Sequence, residues 1–209
     1  MLRETDAIFF LVASLALIAT PGPDMIYVVA RGVAQGRRAA LFSAWGVCCG
    51  LAVHTTFAAV GLSALLARSA LAFSVVKYAG AAYLIYLGLK TLLRRESVVS
   101  PEGARPAGLR MIFVQGVASN VLNPKVALFF LAFLPQFVSA DTGSPVLQML
   151  ALGAVFALLG LLFLSGIALF SGTLGGWIGE RSGFASVLRW LTGSVLVGLG
   201  LRLALPERR

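Results

Sequence analysis

The chain has 209 residues, of which 59% are hydrophobic and only 12% charged, with a mean hydropathy of +0.93. So little polar surface excludes a soluble globule and leaves an integral membrane protein, with room for about six or seven helical spans of roughly 20 residues. The formal charge of +9 falls in gaps between apolar runs, where cytoplasmic loops collect Lys and Arg, so it calls for no nucleic-acid partner.

Six apolar segments follow in chain order. The first, about Ala7 to Ala30, is interrupted by Thr20-Pro21-Gly22-Pro23-Asp24. Arg3 ahead of an apolar core gives it the look of a secretory signal, but Glu4 and Asp6 offset that charge and apolar segments recur down the chain, so a retained span is expected. After the basic gap Arg31 to Arg38, the second segment covers Ala39 to Ala67. It holds His54, the sole histidine, and an adjacent Cys48-Cys49 pair with neither disulfide nor metal spacing. It also holds Gly46 and Gly50, whose small-xxx-small spacing predicts close helix packing. The third segment spans Leu71 to Leu93, and a polar loop runs from Arg94 to Arg110. The fourth, Met111 to Leu134, carries Gln115, Asn120, Asn123, Pro124 and Lys125. The fifth covers Val146 to Leu174 and the sixth Ala185 to Leu205. Each can cross about 30 Å of hydrocarbon at roughly 1.5 Å per residue, and no strand alternation competes, so the fold is all-α. Trp45, Tyr83, Tyr86 and Trp177 read as packing or interfacial anchors.

Segments three and six align. VVKYAGAAYLIYLGLKTLL, Val75 to Leu93, lies on VLRWLTGSVLVGLGLRLAL, Val187 to Leu205, at an offset of 112, with Gly88 on Gly200, Lys77 on Arg189 and Tyr78 on Trp190. At an offset of 103, Pro21 falls on Pro124. Repeats of three spans enter the bilayer from opposite sides, which predicts six transmembrane helices as a 3+3 inverted repeat with interrupted first and fourth helices. Repeat one covers about residues 1–93, a cytoplasmic loop 94–110, and repeat two about 111–209, in one transporter domain. Ten basic residues, Arg37 and Arg38 among them, fall on one face and six on the other. The positive-inside rule makes the first face cytoplasmic and puts both termini outside; a first segment that only dips into the bilayer would leave the N-terminus inside.

Of eight acidic residues, only Asp24 lies within a span, and an ionisable group at that depth is a functional candidate. Lys125 is its basic counterpart beside the matching proline; a structural salt bridge between the two is the plainer reading. Pro21 and Pro23 remove donors and free main-chain groups, which membranes tolerate only against protein or a wet cavity. An opened helix offers a positive and a negative end, a pairing that suits a zwitterion. His54 either relays protons or is a neutral histidine bonded to a neighbouring helix. Gln115, Asn120 and Asn123 either line the cavity or join helices. No nucleotide-binding glycine loop, HExxH or nucleophile-base set appears, so neither an enzyme nor ATP-driven transport is expected, and no cofactor or metal.

Three stretches, ATPGPDMIYVVARGVAQGRRAALFSAWGVCCG, YAGAAYLIYLGLKTL and NVLNPKVALFFLAFLPQFV, together with the length and the six segments, resemble the LysE/RhtB family of bacterial amino-acid exporters. The resemblance implies efflux of amino acids or their derivatives across the bacterial inner membrane by proton antiport. The expected substrate site gathers Pro21, Gly22, Pro23, Asp24, Gln115, Asn120, Asn123, Pro124 and Lys125, with Asp24 and His54 coupling protons. Partners are then the small-molecule substrate, protons and the lipid bilayer, with a homo-oligomer left open. The competing reading is a passive channel or metal-ion exporter, for which one intramembrane acid and one cysteine pair are a poor ligand supply.

Overall fold

The computed structural model describes residues 4–62, 70–93, 106–138, 143–180 and 182–205. The end of the second apolar segment, most of the expected cytoplasmic loop, Arg181 and the Trp177 side chain lie outside the described residues. Among those described are eight α-helices and no strand, as the hydropathy pattern predicts. They are α1 (Glu4–Ala19), α2 (Pro23–Gln35), α3 (Arg37–Phe57), α4 (Ala70–Leu93), α5 (Leu109–Val121), α6 (Pro124–Ala132), α7 (Pro145–Glu180) and α8 (Ser182–Ala204). A π turn, Ala58–Leu62, extends α3, and a 3-10 turn, Leu134–Phe137, follows α6.

Two stretches, Arg37–Gly61 and Pro145–Phe170, are long and apolar enough to cross a membrane as single helices. Two more qualify as bent pairs: Asp6–Ala19 with Pro23–Gln35, bent by 50°, and Leu109–Val121 with Pro124–Phe137, bent by 51°. Both bends sit at the interruptions expected from Pro21 and Pro124. α7 carries Leu147, Leu158, Leu162 and Phe170 more than half exposed, the inverse of a soluble helix and the surface a lipid tail requires.

Lipid tails compete equally for apolar side chains, so helices in a bilayer are held by close approach and hydrogen bonds rather than by oil-water partition. Glycine supplies that approach here. A Cβ on Gly46 would strike the Phe113 carbonyl of α5, and one on Gly50 would stand 2.8 Å from the Asn120 Cβ, so the Gly46-Gly50 pair packs as expected. α4 and α8 run antiparallel through Gly88, Gly193 and Gly200, each against the partner helix's backbone. Phe129, Phe130, Phe133 and Phe156 fill the larger buried cluster, with Phe129 and Phe133 rings 4.7 Å apart. A smaller cluster of Val28, Ala40, Ala44, Val47, Leu164 and Ala168 joins α2, α3 and α7.

Two sequence readings are corrected. Arg31 to Arg38 is no loop: α2 runs to Gln35 and α3 begins at Arg37, leaving Gly36 as a one-residue turn with φ +82°. Nor does Pro23 break a helix. It opens α2 at the first helical position, where its missing N–H has no bond to lose.

Candidate functional site

The end of α1 follows from Pro21. In an unbroken helix the N–H of residue 21 would bond Leu17 O; proline has none, so that carbonyl is freed. Thr20 turns its hydroxyl back onto Ala16 O at 2.7 Å, its N–H also reaching that oxygen at 3.0 Å, and closes the helix. The break between α5 and α6 is built alike. Pro124 opens α6 and denies Asn120 O, four residues back, its α-helical donor, so that oxygen accepts instead from Asn123 N–H at 2.9 Å. The Asn123 Oδ1 caps α6 by accepting from Lys125 N at 3.0 Å.

Each break is braced from the other half of the chain by the residue after a helix-opening proline. Lys125, following Pro124, donates from Nζ to Leu17 O at 2.9 Å and to Thr20 O at 2.8 Å, supplying the donor that Pro21 lacks. Asp24, following Pro23, accepts from Asn120 Nδ2 at 2.8 Å and Asn123 Nδ2 at 2.9 Å on Oδ2, and from Ser119 Oγ at 3.1 Å on Oδ1. The charges dictate these partners. An ammonium is satisfied by bare carbonyls at the negative end of α1, whereas a carboxylate at the equivalent end of α5 needs side-chain donors. The alternative of a structural Asp24–Lys125 salt bridge is not realised: among the described residues no ion pair joins the two, and each has its own partners. His54 is buried, its Nε2 3.0 Å from Asn120 O. A carbonyl only accepts, so Nε2–H is the donor to an oxygen that also accepts from Asn123 N–H.

Between the two braces lies a cavity of about 40 Å³, room for about three water-sized molecules. Its polar wall is Thr20, Asp24, Asn120 and Lys125; its apolar wall includes Val47, Leu51, Phe156 and Leu164. Among the described residues no group of three or more His, Cys, Asp or Glu side chains gathers to hold a metal ion.

Residues 15–207 match the family model described as LysE type translocator. The chain belongs to that family. It is a membrane translocator and not an enzyme. Similar proteins include the uncharacterized membrane protein PA4757 of Pseudomonas aeruginosa, 33% identical over 96% of this chain and 95% of that protein. The uncharacterized membrane protein YrhP of Bacillus subtilis is 31% identical over 90% of this chain and 93% of its own length. A protein named leucine efflux protein, from Klebsiella pneumoniae, is 30% identical over 93% of this chain and 92% of its own length. No solved structure matches the chain.

Of the residues expected in the site of this LysE type translocator, the structure brings together Asp24, Asn120, Asn123 and Lys125, with Pro21, Gly22, Pro23 and Pro124 shaping the two breaks. Ser119 joins them; a hydroxyl one residue before Asn120 at bilayer depth was its only sequence signal. Gln115 belongs to a second polar cluster farther along α5. Its Oε1 accepts from Arg31 Nη2 at 2.7 Å, and the Tyr27 hydroxyl, which donates to Ile112 O at 2.7 Å, lies 3.3 Å away. Arg31 Nη1 also donates to Gln35 Oε1 at 2.7 Å, and Gln35 Nε2 donates to Ala107 O at 2.9 Å. Arg31 is buried, so this guanidinium, read from sequence as a loop charge, ties α2 to α5 and to the turn before it.

Proposed function

We propose that this translocator exports neutral, aliphatic amino acids across the bacterial inner membrane in exchange for protons. The observation that carries the reading is the cavity between the braces. One cation and one anion stand in its lining, matching a zwitterion, and Val47, Leu51, Phe156 and Leu164 give it apolar surface suited to a branched side chain. Two efflux proteins similar to it, from Klebsiella pneumoniae and Salmonella choleraesuis, carry leucine in their names. At about 40 Å³ the cavity is smaller than an amino acid, so loading requires α2 or α6 to move about its break.

Asp24 is the proton-coupling residue. Its Oδ2 faces two amide N–H donors, but its Oδ1 faces a hydroxyl, which can turn from donor to acceptor. A proton therefore enters on Oδ1 without costing a hydrogen bond. His54 holds the end of α5 rather than contacting Asp24 directly.

The architecture is a 3+3 inverted repeat of six spans, with repeat one at about residues 1–93, repeat two at about 111–209, and the C-terminus periplasmic. The α4–α8 contact supports it. Gly88 packs on Gly193 and Val197; shifting each residue by the offset of 112 gives Gly200 on Ala81 and Ile85, which is the contact made from the other side.

Proteoliposomes holding the chain test this reading with labelled leucine, valine and lysine, with and without a pH gradient. The expected result is gradient-driven accumulation of the neutral amino acids, abolished in Asp24→Asn. Equal rates with and without the gradient, or lysine moving as fast as leucine, would overturn it.

A further inference from the structure

The ammonium of Lys125 occupies a ligand seat as well as ending a side chain. Two main-chain carbonyls hold it, Leu17 O at 2.9 Å and Thr20 O at 2.8 Å, at the negative end of a helix broken for want of a proline N–H. Leu17, Thr20 and Lys125 all line the cavity, so the seat is part of its wall. Nothing in the seat is particular to lysine: two carbonyl oxygens accept from any primary ammonium that reaches them. The lysine arm borders the cavity on one side and a glycine on the other. Gly22 stands beside it, and a Cβ there would lie 3.2 Å from Nζ and 3.5 Å from Cε. Its backbone, at φ −159°, is one that any residue adopts, so the space for Nζ is what the glycine provides.

Resting on the amino-acid export reading above, we propose that the Leu17–Thr20 carbonyl pair is the seat of the transported amino acid's ammonium. Lys125 fills it while the cavity is empty and yields it to the substrate, taking the substrate's carboxylate in exchange. Charge is conserved at each position: one ammonium replaces another on the carbonyls, and the displaced one gains a carboxylate, so no buried charge is left unpaired. The N-terminus of α2, where Gly22 makes no side-chain cap, lies next to the departing ammonium and adds its positive end to the carboxylate's surroundings. The exchange selects for zwitterions. An amine without a carboxylate displaces Lys125 into nothing, and a carboxylate without an amine finds the lysine still tied to α1.

Three probes with one carbon skeleton separate these cases: leucine, isoamylamine, which lacks the carboxylate, and 4-methylpentanoate, which lacks the amine. Their binding is measured on the full chain in lipid nanodiscs. Wild type is expected to bind leucine at least about tenfold more tightly than either half-ligand. Lys125→Met, which keeps the stem and empties the seat, is expected to gain at least about tenfold in isoamylamine affinity over wild type and to lose as much for leucine. Isoamylamine binding to Lys125→Met no better than to wild type overturns the proposal. So does isoamylamine matching leucine on wild type, a comparison that stands even if the variant does not fold. A gain of amine binding in Lys125→Met with no leucine bound by wild type overturns the proposal together with the export reading, leaving only a carbonyl pair that holds ammonium groups. Intact leucine export with no gain of amine binding overturns the seat alone.

Discussion

At Asp24 the two carboxylate oxygens live in different company, and the difference is testable. Ser119→Thr keeps a hydroxyl facing Oδ1 and should preserve gradient-driven uptake, whereas Ser119→Ala removes the one partner among the described residues able to accept from a protonated Oδ1 and should slow it. Uptake in proteoliposomes at matched protein levels checks this; equal rates for both variants would detach Ser119 from coupling. Asn123 has two tasks, with Oδ1 capping α6 and Nδ2 holding Asp24. Asn123→Ala should therefore destabilise the protein by about 1–3 kcal/mol, read as a lowered unfolding midpoint in detergent. At this scale the site was legible in kind but not in pairing. Asp24, Asn120, Asn123 and Lys125 stand out as polar groups beside prolines at bilayer depth. That Asp24 ignores Lys125 was not legible, because it depends on which carbonyls the prolines free and which helix end each charge meets.

Among elements, the turn at Gly36 and the cluster beyond it carry the sharpest expectations. Gly36 has φ +82° and nothing within 4 Å of a Cβ built on it, so substitution there strains the backbone without a clash. With ψ at 178° the conformation is one that essentially glycine alone adopts, so Gly36→Asn and Gly36→Val should each cost about 1–3 kcal/mol, measured as a shift in thermal midpoint. Gln115→Leu removes an acceptor of the buried Arg31, while Tyr27 keeps its bond to Ile112 O. It should cost roughly 1.5–3 kcal/mol in the same assay. The helices and both interruptions were legible from hydropathy and proline. The α2–α3 boundary was not: basic residues mark loop and helix alike, and only the burial of Arg31 against α5 tells them apart. Pro23 misled for a related reason, since a proline that ends one helix and a proline that starts the next look the same in a string.

For the molecule as a whole, the bent pairs and the bonds between Gln35 and Ala107 set the turns at Gly36 and at Gly108 on one face. Gly143 lies beyond the far end of the α5–α6 pair. With Cys48 and Cys49 changed to serine, Gly143→Cys should react with an impermeant thiol reagent added to intact cells. Gly36→Cys and Gly108→Cys should react only after permeabilisation. The reverse pattern would invert the orientation drawn from the basic residues. The glycine contacts between α4 and α8 were legible in the sequence through Gly88 and Gly200, because small residues that let helices touch cannot drift far from register.

The crossed braces also bear on how the protein is made. Lys125 and the donors at Ser119, Asn120 and Asn123 are synthesised about a hundred residues after the Leu17 carbonyl and the Asp24 carboxylate they serve. Until then the nascent first half carries an open helix end and a lone acid that hydrocarbon penalises by several kcal/mol. It must wait at the insertion machinery or beside water for its complement. Residues 1–93 and 106–209, produced as separate polypeptides, should each be degraded alone and accumulate together, so that the second half acts as the assembly factor for the first.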